Sequence, residues 1–375
     1  MGSDVALTCY DVGMNPPESK PPDVKTPDTS PQQQTVHAPA ARKPVIGITM
    51  GDPAGIGAEV VVKALADPAI QNQARYIIFG MNELLAYAAD LAEIEPYWWR
   101  IPHDSARLDF PLVHEVVVLD YDEFSMLGSI VHKPTKQGGQ ASLRFLDDAV
   151  GMALRPVGDP LRIDAIVTAP ICKESWKMTG CNFPGHTEFF QHRTKAKRVA
   201  MLFVAPKLHV ILATIHMPLM DLRNQLTIGA VFDPIDLGHK AMLKLGIAKP
   251  RIAVCGLNPH AGENGMFGDE EQRLITPAIE VARQQGIEVS GPFPADTIFM
   301  EAVKGRYDLV VAMYHDQGLI PVKLLAFDDA VNVTLGLPIV RTSPDHGTAF
   351  NIVGQNKANP SSMKAALRLA LQMVQ

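Results

Sequence analysis

The sequence predicts an α/β protein built on a largely parallel sheet covered by helices on both faces, and three observations carry that expectation. Short apolar runs alternate with longer amphipathic stretches, as in Pro44 to Met50, Tyr76 to Phe79, Val116 to Leu119 and Asp164 to Pro170. A chain of 375 residues that is 47% hydrophobic is long enough for a large core and favours two domains. Three later apolar runs, His209 to Thr214, Arg251 to Gly256 and Tyr307 to Met313, each lead within a few residues to a histidine. In open α/β sheets ligands bind beyond the carboxyl ends of the strands.

Taken in order, residues 1–42 are rich in Pro, Ser, Thr and Gln and are expected to be a disordered leader, because such a segment buries too little apolar surface to offset its ordering entropy. Folding is expected to begin with a strand at Pro44 to Met50. It turns through Gly51-Asp52-Pro53-Ala54-Gly55-Ile56-Gly57 into a helix starting near Ala58. A strand at Tyr76 to Phe79, a helix from Asn82 to Leu91, a strand at Val116 to Leu119 and a helix from Gln140 to Leu154 follow. Trp98, Trp99 and Phe110 read as packing residues. A helix is expected over Asp269 to Gln285, and a turn at Pro292 to Thr297 opens another. The domain division expected is 43–140 with 326–375 as one unit and 141–325 as the other.

Charge narrows the function. With 34 basic and 40 acidic residues the formal net charge is −6, and the charges are dispersed, which argues against a nucleic-acid partner. An anionic substrate must then be held by local cations. Cys9, Cys172, Cys181 and Cys255 have no metal-type spacing and read as free thiols. No run is long enough to span a bilayer and no signal-peptide pattern opens the chain, so a soluble, cytoplasmic protein without a membrane partner is expected.

The chemistry concentrates between Met313 and Asn351. His216, His260 and His315, each just past a strand, read as three ligands converging on one divalent metal, since one shared site explains the repetition better than three separate backbone caps. Lys323, Asn332 and Arg341 lie on successive segments after His315 in apolar surroundings, where an unpaired charge is costly and a bound phosphate or carboxylate would neutralise it. Upstream, Phe183-Pro184-Gly185-His186-Thr187-Glu188 opens a helix; Thr187 reads as its cap, with His186 and Thr187 facing any anion at that terminus. Asp296 reads either as a helix cap or as a group reaching the metal or substrate.

These motifs together resemble one family. GDPAGIG, PGHTEFF, GLNPHAGENG, GPFPADTIF, MYHDQG, VNVTLGLPIVRTS and DHGTAF stand in the order found in 4-hydroxythreonine-4-phosphate dehydrogenases and the similar D-threonate and D-erythronate 4-phosphate dehydrogenases, from about Pro44 to the C-terminus. The resemblance implies two α/β/α domains with a cleft between them, similar to isocitrate and isopropylmalate dehydrogenases and not a Rossmann domain. It implies metal binding by His216, His260 and His315, substrate contacts from His186, Thr187, Lys323, Asn332 and Arg341, and a homodimer whose active site is completed across the interface.

The segments His346 to Ile352 and Ala358 to Pro360 resemble the cofactor loop of those dehydrogenases, which implies that His346, Gly347, Ala349, Asn351 and Asn359 contact NAD, with NADP as the alternative. Asn351 stands where an aspartate is usual, and Gln355-Asn356 where Lys-Gly is common. The implied reaction is the metal-assisted oxidation of a phosphorylated 3-hydroxy acid by NAD, followed by loss of carbon dioxide, with Asp316 or Asp296 taking the hydroxyl proton. Zinc and cobalt suit imidazole ligands, while magnesium and manganese suit an oxygen-rich substrate. The competing reading from another class is a three-histidine metal hydrolase that needs no NAD.

Overall fold

A computed structural model describes residues 42–125 and 132–375. The expectation of a disordered leader at 1–42, and Cys9 with it, lies apart from Arg42 outside the described residues. Among the described residues there are twelve strands: β1 Val45–Thr49, β2 Arg75–Gly80, β3 Trp99–Pro102, β4 Val116–Asp120, β5 Ala165–Thr168, β6 Ala200–Ala205, β7 Leu208–Leu212, β8 Ile252–Cys255, β9 Val289–Phe293, β10 Leu309–Ala312, β11 Val331–Leu335 and β12 Val340–Pro344. They form one sheet in the order β3-β4-β2-β1-β5-β12-β11-β6-β7-β10-β8-β9.

The sheet is two parallel blocks joined by an antiparallel seam. β3, β4, β2, β1, β5 and β12 are mutually parallel, and so are β7, β10, β8 and β9. Between them β11 is antiparallel to both β12 and β6, and β6 is antiparallel to β7. Three reversals leave the two blocks running in opposite directions. Within the two blocks β1, β5, β8 and β10 are buried along their whole length and are built mainly of Val, Ile and Ala.

Most expected elements are found, and the differences have local causes. The expected helix at Gln140 starts instead at Lys136, because Thr135 caps it by accepting from the Gly138 amide at 2.9 Å. This helix packs on β1, β2 and β5, so residues 136–168 lie with the terminal strands. Lys323 is on the helix His315–Ala326, which accommodates Pro321 within it. Trp99 and Phe110 are 55% and 64% exposed, so they are not core residues, while Trp98 donates its indole N–H to Asn82 Oδ1 at 2.9 Å. Cys172, Cys181 and Cys255 are free thiols, as expected. No helix among the described residues is long and apolar enough to cross a membrane.

Candidate active site

Side-chain alternation at the antiparallel seam builds the floor of a cleft. On a strand, residues two apart share a face; Arg341 and Ser343 of β12 and Asn332 of β11 therefore point the same way, with Met201 of β6 beside them, and all four line one cavity of about 300 Å³. Register sets Asn332 directly opposite Ser343. The rest of the wall comes from Thr168 at the end of β5, from Lys173, from Asp345 and His346 after β12, and from the start of the helix His186–Thr194.

Arg341 dominates the electrostatics. Only 2% exposed, its guanidinium donates to Thr334 Oγ1 at 3.0 Å and Thr168 Oγ1 at 2.7 Å and lies 5.6 Å from the Phe190 ring centre, while its Nε has no partner among the described residues. Burial pushes its pKa down to about 9, against the favourable field of Glu188. A buried guanidinium whose direct partners are two neutral hydroxyls makes no ion pair among the described residues, Glu188 acting only from a distance. Four other residues lining the same cavity, His186 (Nε2), Glu188 (Oε2), Asn332 (Oδ1) and His346 (Nε2), also carry buried polar atoms without partners among the described residues. Buried polar groups are nearly always paired, so five such atoms in one cleft mark the place where a polar ligand belongs.

The helix His186–Thr194 begins at this wall. Gly185 is its N-cap, in extended backbone, and Thr187 sits at the second helical position, buried and making no capping bond; the expected Thr187 cap is replaced by a bare helix N-terminus facing the cleft. Such a terminus favours an anion. His186 is held well below the usual imidazole pKa by burial and by the charges of Arg341 and Lys173, so it is neutral. Burial alone would raise Glu188, but His216 and Lys173 beside it outweigh that and hold its carboxyl below the usual range.

His216 joins this cleft to a second one of about 440 Å³, lined by Thr214, Met217, Tyr314, His315 and Asp316 among others. The His216 and His315 ring centres lie 5.8 Å apart, and His216 Nδ1 is 3.8 Å from Glu188 Oε1. His315 Nδ1 is 2.7 Å from Asp316 Oδ1, which leaves Nε2 as the acceptor of the neutral ring. β7, β10 and β8 are sheet neighbours, so the three strand-end histidines do leave adjacent strands.

His260 does not join the other two within this chain. It sits on an exposed turn in which His260, Ala261, Gly262, Glu263 and Asn264 have φ of 52°, 52°, 81°, 41° and 56°. Left-handed backbone costs a non-glycine residue roughly 1–2 kcal/mol, least for Asn, so this turn is strained. Its ring is 6.1 Å from Phe267, and among the described residues no three His, Cys, Asp or Glu side chains are gathered to hold an ion. Two adjacent imidazoles, one with its tautomer fixed, are donors of the kind that would suit a borderline divalent metal.

The remaining expected residues are placed as follows. Lys323 pairs with Asp345 at 3.0 Å, reaching the cleft through that wall residue. Asp296 is exposed at the second position of the helix Ala295–Val303, whose N-cap is Pro294, so it is not a cap. In the proposed cofactor loop, Ala349 has φ 43°, Gly347, Asn351 and Asn359 are exposed, and Asn359 accepts from the Ser361 amide at 3.0 Å. Asn356, standing where glycine is common, has φ 55°, a conformation that Asn tolerates best after Gly. Ile56 donates to Thr348 O at 3.0 Å and Glu59 accepts from the Ala358 amide at 2.8 Å, so the GDPAGIG segment backs this loop. A small slot of about 30 Å³ lies beside the loop, between Ile56, Leu84, Tyr87, Ala88 and Val353. Sequence reasoning left Thr168, Lys173, Glu188 and Ser343 without a role; the period-two polar pattern of β11 and β12 was the available signal for Ser343.

Fold and site thus define a class: an α/β protein with a cation-floored cleft and a histidine pair at its sheet seam. The particular family follows from comparison. Residues 72–370 match the family described as "Pyridoxal phosphate biosynthetic protein PdxA", and the chain belongs to the PdxA family. It is 44% identical over 331 residues to a 4-hydroxythreonine-4-phosphate dehydrogenase of Desulforapulum autotrophicum, covering 88% of this chain and 95% of that one. It is 43% identical over 333 residues to a D-threonate 4-phosphate dehydrogenase of Cupriavidus necator, covering 88% and 97%. The crystal structure of a 4-hydroxythreonine-4-phosphate dehydrogenase from Klebsiella pneumoniae superposes with a TM-score of 0.75 at 38% identity, covering 88% of this chain and all of that one.

Proposed function

We propose that this chain is an NAD- and divalent-metal-dependent dehydrogenase of a phosphorylated 3-hydroxy acid, acting on 4-phosphohydroxy-L-threonine and yielding, after decarboxylation, 3-amino-2-oxopropyl phosphate. The observation that carries the reading is the buried, unpaired Arg341 on the floor of the cleft, with His186, Asn332 and the helix terminus at Thr187 converging on the same space. A phosphate or carboxylate supplies the charge these groups need.

When bound, NAD would accept a hydride from carbon three of the substrate while a divalent ion would polarise the hydroxyl on that carbon. The residues of the chain do the rest. Arg341, Asn332 and His186 hold the anionic ends and so aim carbon three toward His216, which the two clefts share. Neutral His186 donates or accepts a hydrogen bond without adding charge. Asp316 lies on the wall beside His315 and is the carboxylate nearest the histidine pair on which to place the hydroxyl proton; Asp296, exposed on another helix, is the weaker choice. The resulting 3-keto acid loses its carboxylate as carbon dioxide, and the electron pair of the broken bond passes into an enolate that the cationic floor stabilises.

The third imidazole is read as coming from a second copy of the chain. In support, the helix His315–Ala326 leaves Ile320, Leu324 and Leu325 exposed, with Phe327 just beyond it, an apolar face that begins at the histidine site. The NAD contacts are placed at His346, Gly347, Ala349, Asn351 and Asn359, on the loop that Ile56 and Glu59 hold from behind.

D-Threonate or D-erythronate 4-phosphate is the second substrate reading, favoured by the near-equal identity to relatives of both names. The deciding experiment is NADH formation with the three phosphorylated acids in parallel, with and without a chelator that is then back-titrated with metal. Turnover of the amino acid phosphate alone supports the first reading and turnover of a sugar-acid phosphate alone the second. No turnover of any, with no NAD binding, would sink both.

A further inference from the structure

The strained turn that carries His260 is held by two adjacent acids: Glu270, which accepts from Asn258 Nδ2 at 2.7 Å, and the buried Glu271, which makes most of the bonds. Glu271, 3% exposed, accepts from the backbone amides of Leu257 and Asn258, both at 2.7 Å to Oε1, and from Asn258 Nδ2 at 3.0 Å to Oε2. Its carboxylate also fills the concavity of the turn. A Cβ placed on Gly262 would come within 2.6 Å of Oε2, and one on Gly256 within 3.2 Å of Oε1. The entry to the turn and its left-handed stretch are therefore drawn onto the same two oxygens.

No cation pairs with Glu271 among the described residues; amide N–H groups alone hold its charge. The acid opens a single π-helical turn, Glu271–Ile275, a feature concentrated at functional sites. A second tie runs to the chain's own His315 helix. Gln317, two residues after His315, donates to Gly256 O at 2.9 Å and accepts from the Met313 amide at 2.7 Å, joining the root of the His260 turn to the root of the His315 helix.

We infer that Glu271 is a positioning residue for His260: its buried carboxylate fixes the left-handed turn in the shape that presents the imidazole as a ligand of the histidine site. The inference rests on the proposed metal role of His260. A carboxylate needed only for folding would have no call for a strained, outward-facing turn, since a relaxed one would serve; strain of this kind persists where surroundings over-determine it.

The test uses full-length protein stripped of metal, with cobalt(II) as the probe and no NAD or substrate. Affinity is read by competition with a chromophoric chelator, and amide hydrogen exchange is followed over residues 257–268. His260→Ala is expected to weaken cobalt binding by about 30-fold, within the range typical of altered metal surroundings. Glu271→Ala is expected to weaken it to a similar degree and to speed exchange in 257–268 alone. The double variant should be no weaker than His260→Ala, and Glu271→Gln, which keeps an acceptor for the two amides, should recover most of the affinity. Faster exchange in Glu271→Ala with unchanged cobalt affinity would overturn the inference, as would a further loss in the double variant. If His260→Ala binds cobalt as the unaltered protein does, the metal reading itself fails and takes the inference with it, a result distinct from the other two. Should Glu271→Ala not fold, Glu271→Asp, which withdraws the carboxylate by one methylene, is read by the same measures.

Discussion

His315 Nδ1 and the carboxylate of the next residue, Asp316, meet at 2.7 Å. The contact fixes which ring nitrogen carries the proton and turns Nε2 toward the cleft shared with His216. Asp316→Asn keeps the shape but removes the charge that holds this tautomer. Zinc affinity, measured by chelator competition, should fall by about tenfold, the lower end of the range for such partners because the carboxylate is largely exposed. Unchanged affinity would mean that the pair has no part in metal binding.

Arg341 should trade stability against function. Arg341→Met removes a charge that is buried without a counter-ion, at the expense of two hydroxyl partners, Thr334 and Thr168. Thermal unfolding of the ligand-free protein should shift little or upward. kcat/KM should fall by about a thousandfold, as expected for the loss of roughly 4 kcal/mol of charge-assisted hydrogen bonding. A large drop in Tm with modest loss of activity would contradict the placement of the substrate anion on this side chain.

The pH dependence of stability follows from His186. Burial and the charges of Arg341 and Lys173 hold its folded pKa well below the usual imidazole value, so on acidification the unfolded chain takes up the proton first. The stability contributed by the neutral ring is fully present above about pH 6.5 and is lost as pH falls from there toward the folded pKa, by at most about 1.4 kcal/mol per pH unit for one proton. Urea unfolding between pH 7.5 and 5 should show this slope in the unaltered protein and a shallower one in His186→Gln. Parallel slopes would refute it.

The proposed cofactor loop is anchored by Glu59, which bonds both Lys63 Nζ at 2.7 Å and the Ala358 amide at 2.8 Å; Lys63 in turn donates to Asn356 O and Ala358 O, each at 3.2 Å. Glu59→Ala frees the loop without touching the substrate cleft. KM for NAD should rise about fivefold to tenfold, from the loss of one buried charge-assisted hydrogen bond, with KM for the phosphorylated substrate unchanged. Equal rises in both would show that the loop does not belong to the cofactor alone.

What could be read without coordinates was what depends on local order. His216 and His315 follow β7 and β10 by a few residues, and adjacent parallel strands bring such positions together whatever the intervening loops do. His260 obeys the same rule along the chain, but its turn coils left-handed under the control of Glu271, an acid hidden in what reads as an ordinary polar helix. Lys323 lies in an apolar run, Pro321 to Leu325, that fits a strand or a helix equally; its ion pair with Asp345 appears only in three dimensions. The hairpin partner β6 went unread, and with it the seam that puts Asn332, Arg341 and Ser343 on one face.

That seam also sets when the protein can become itself. β11 and β12 come from residues 331–344, yet they lie in the middle of the sheet, β12 against β5 from residues 165–168 and β11 against β6 from residues 200–205. A chain emerging from the ribosome can assemble β1, β2, β4 and β5 early and the block around β7, β8 and β10 later. The two remain unjoined until residues 331–344 arrive between them. Long-range closures of this kind fold slowly. The floor of the cleft is the last piece laid, so a shortened or half-made chain has no place to hold a substrate.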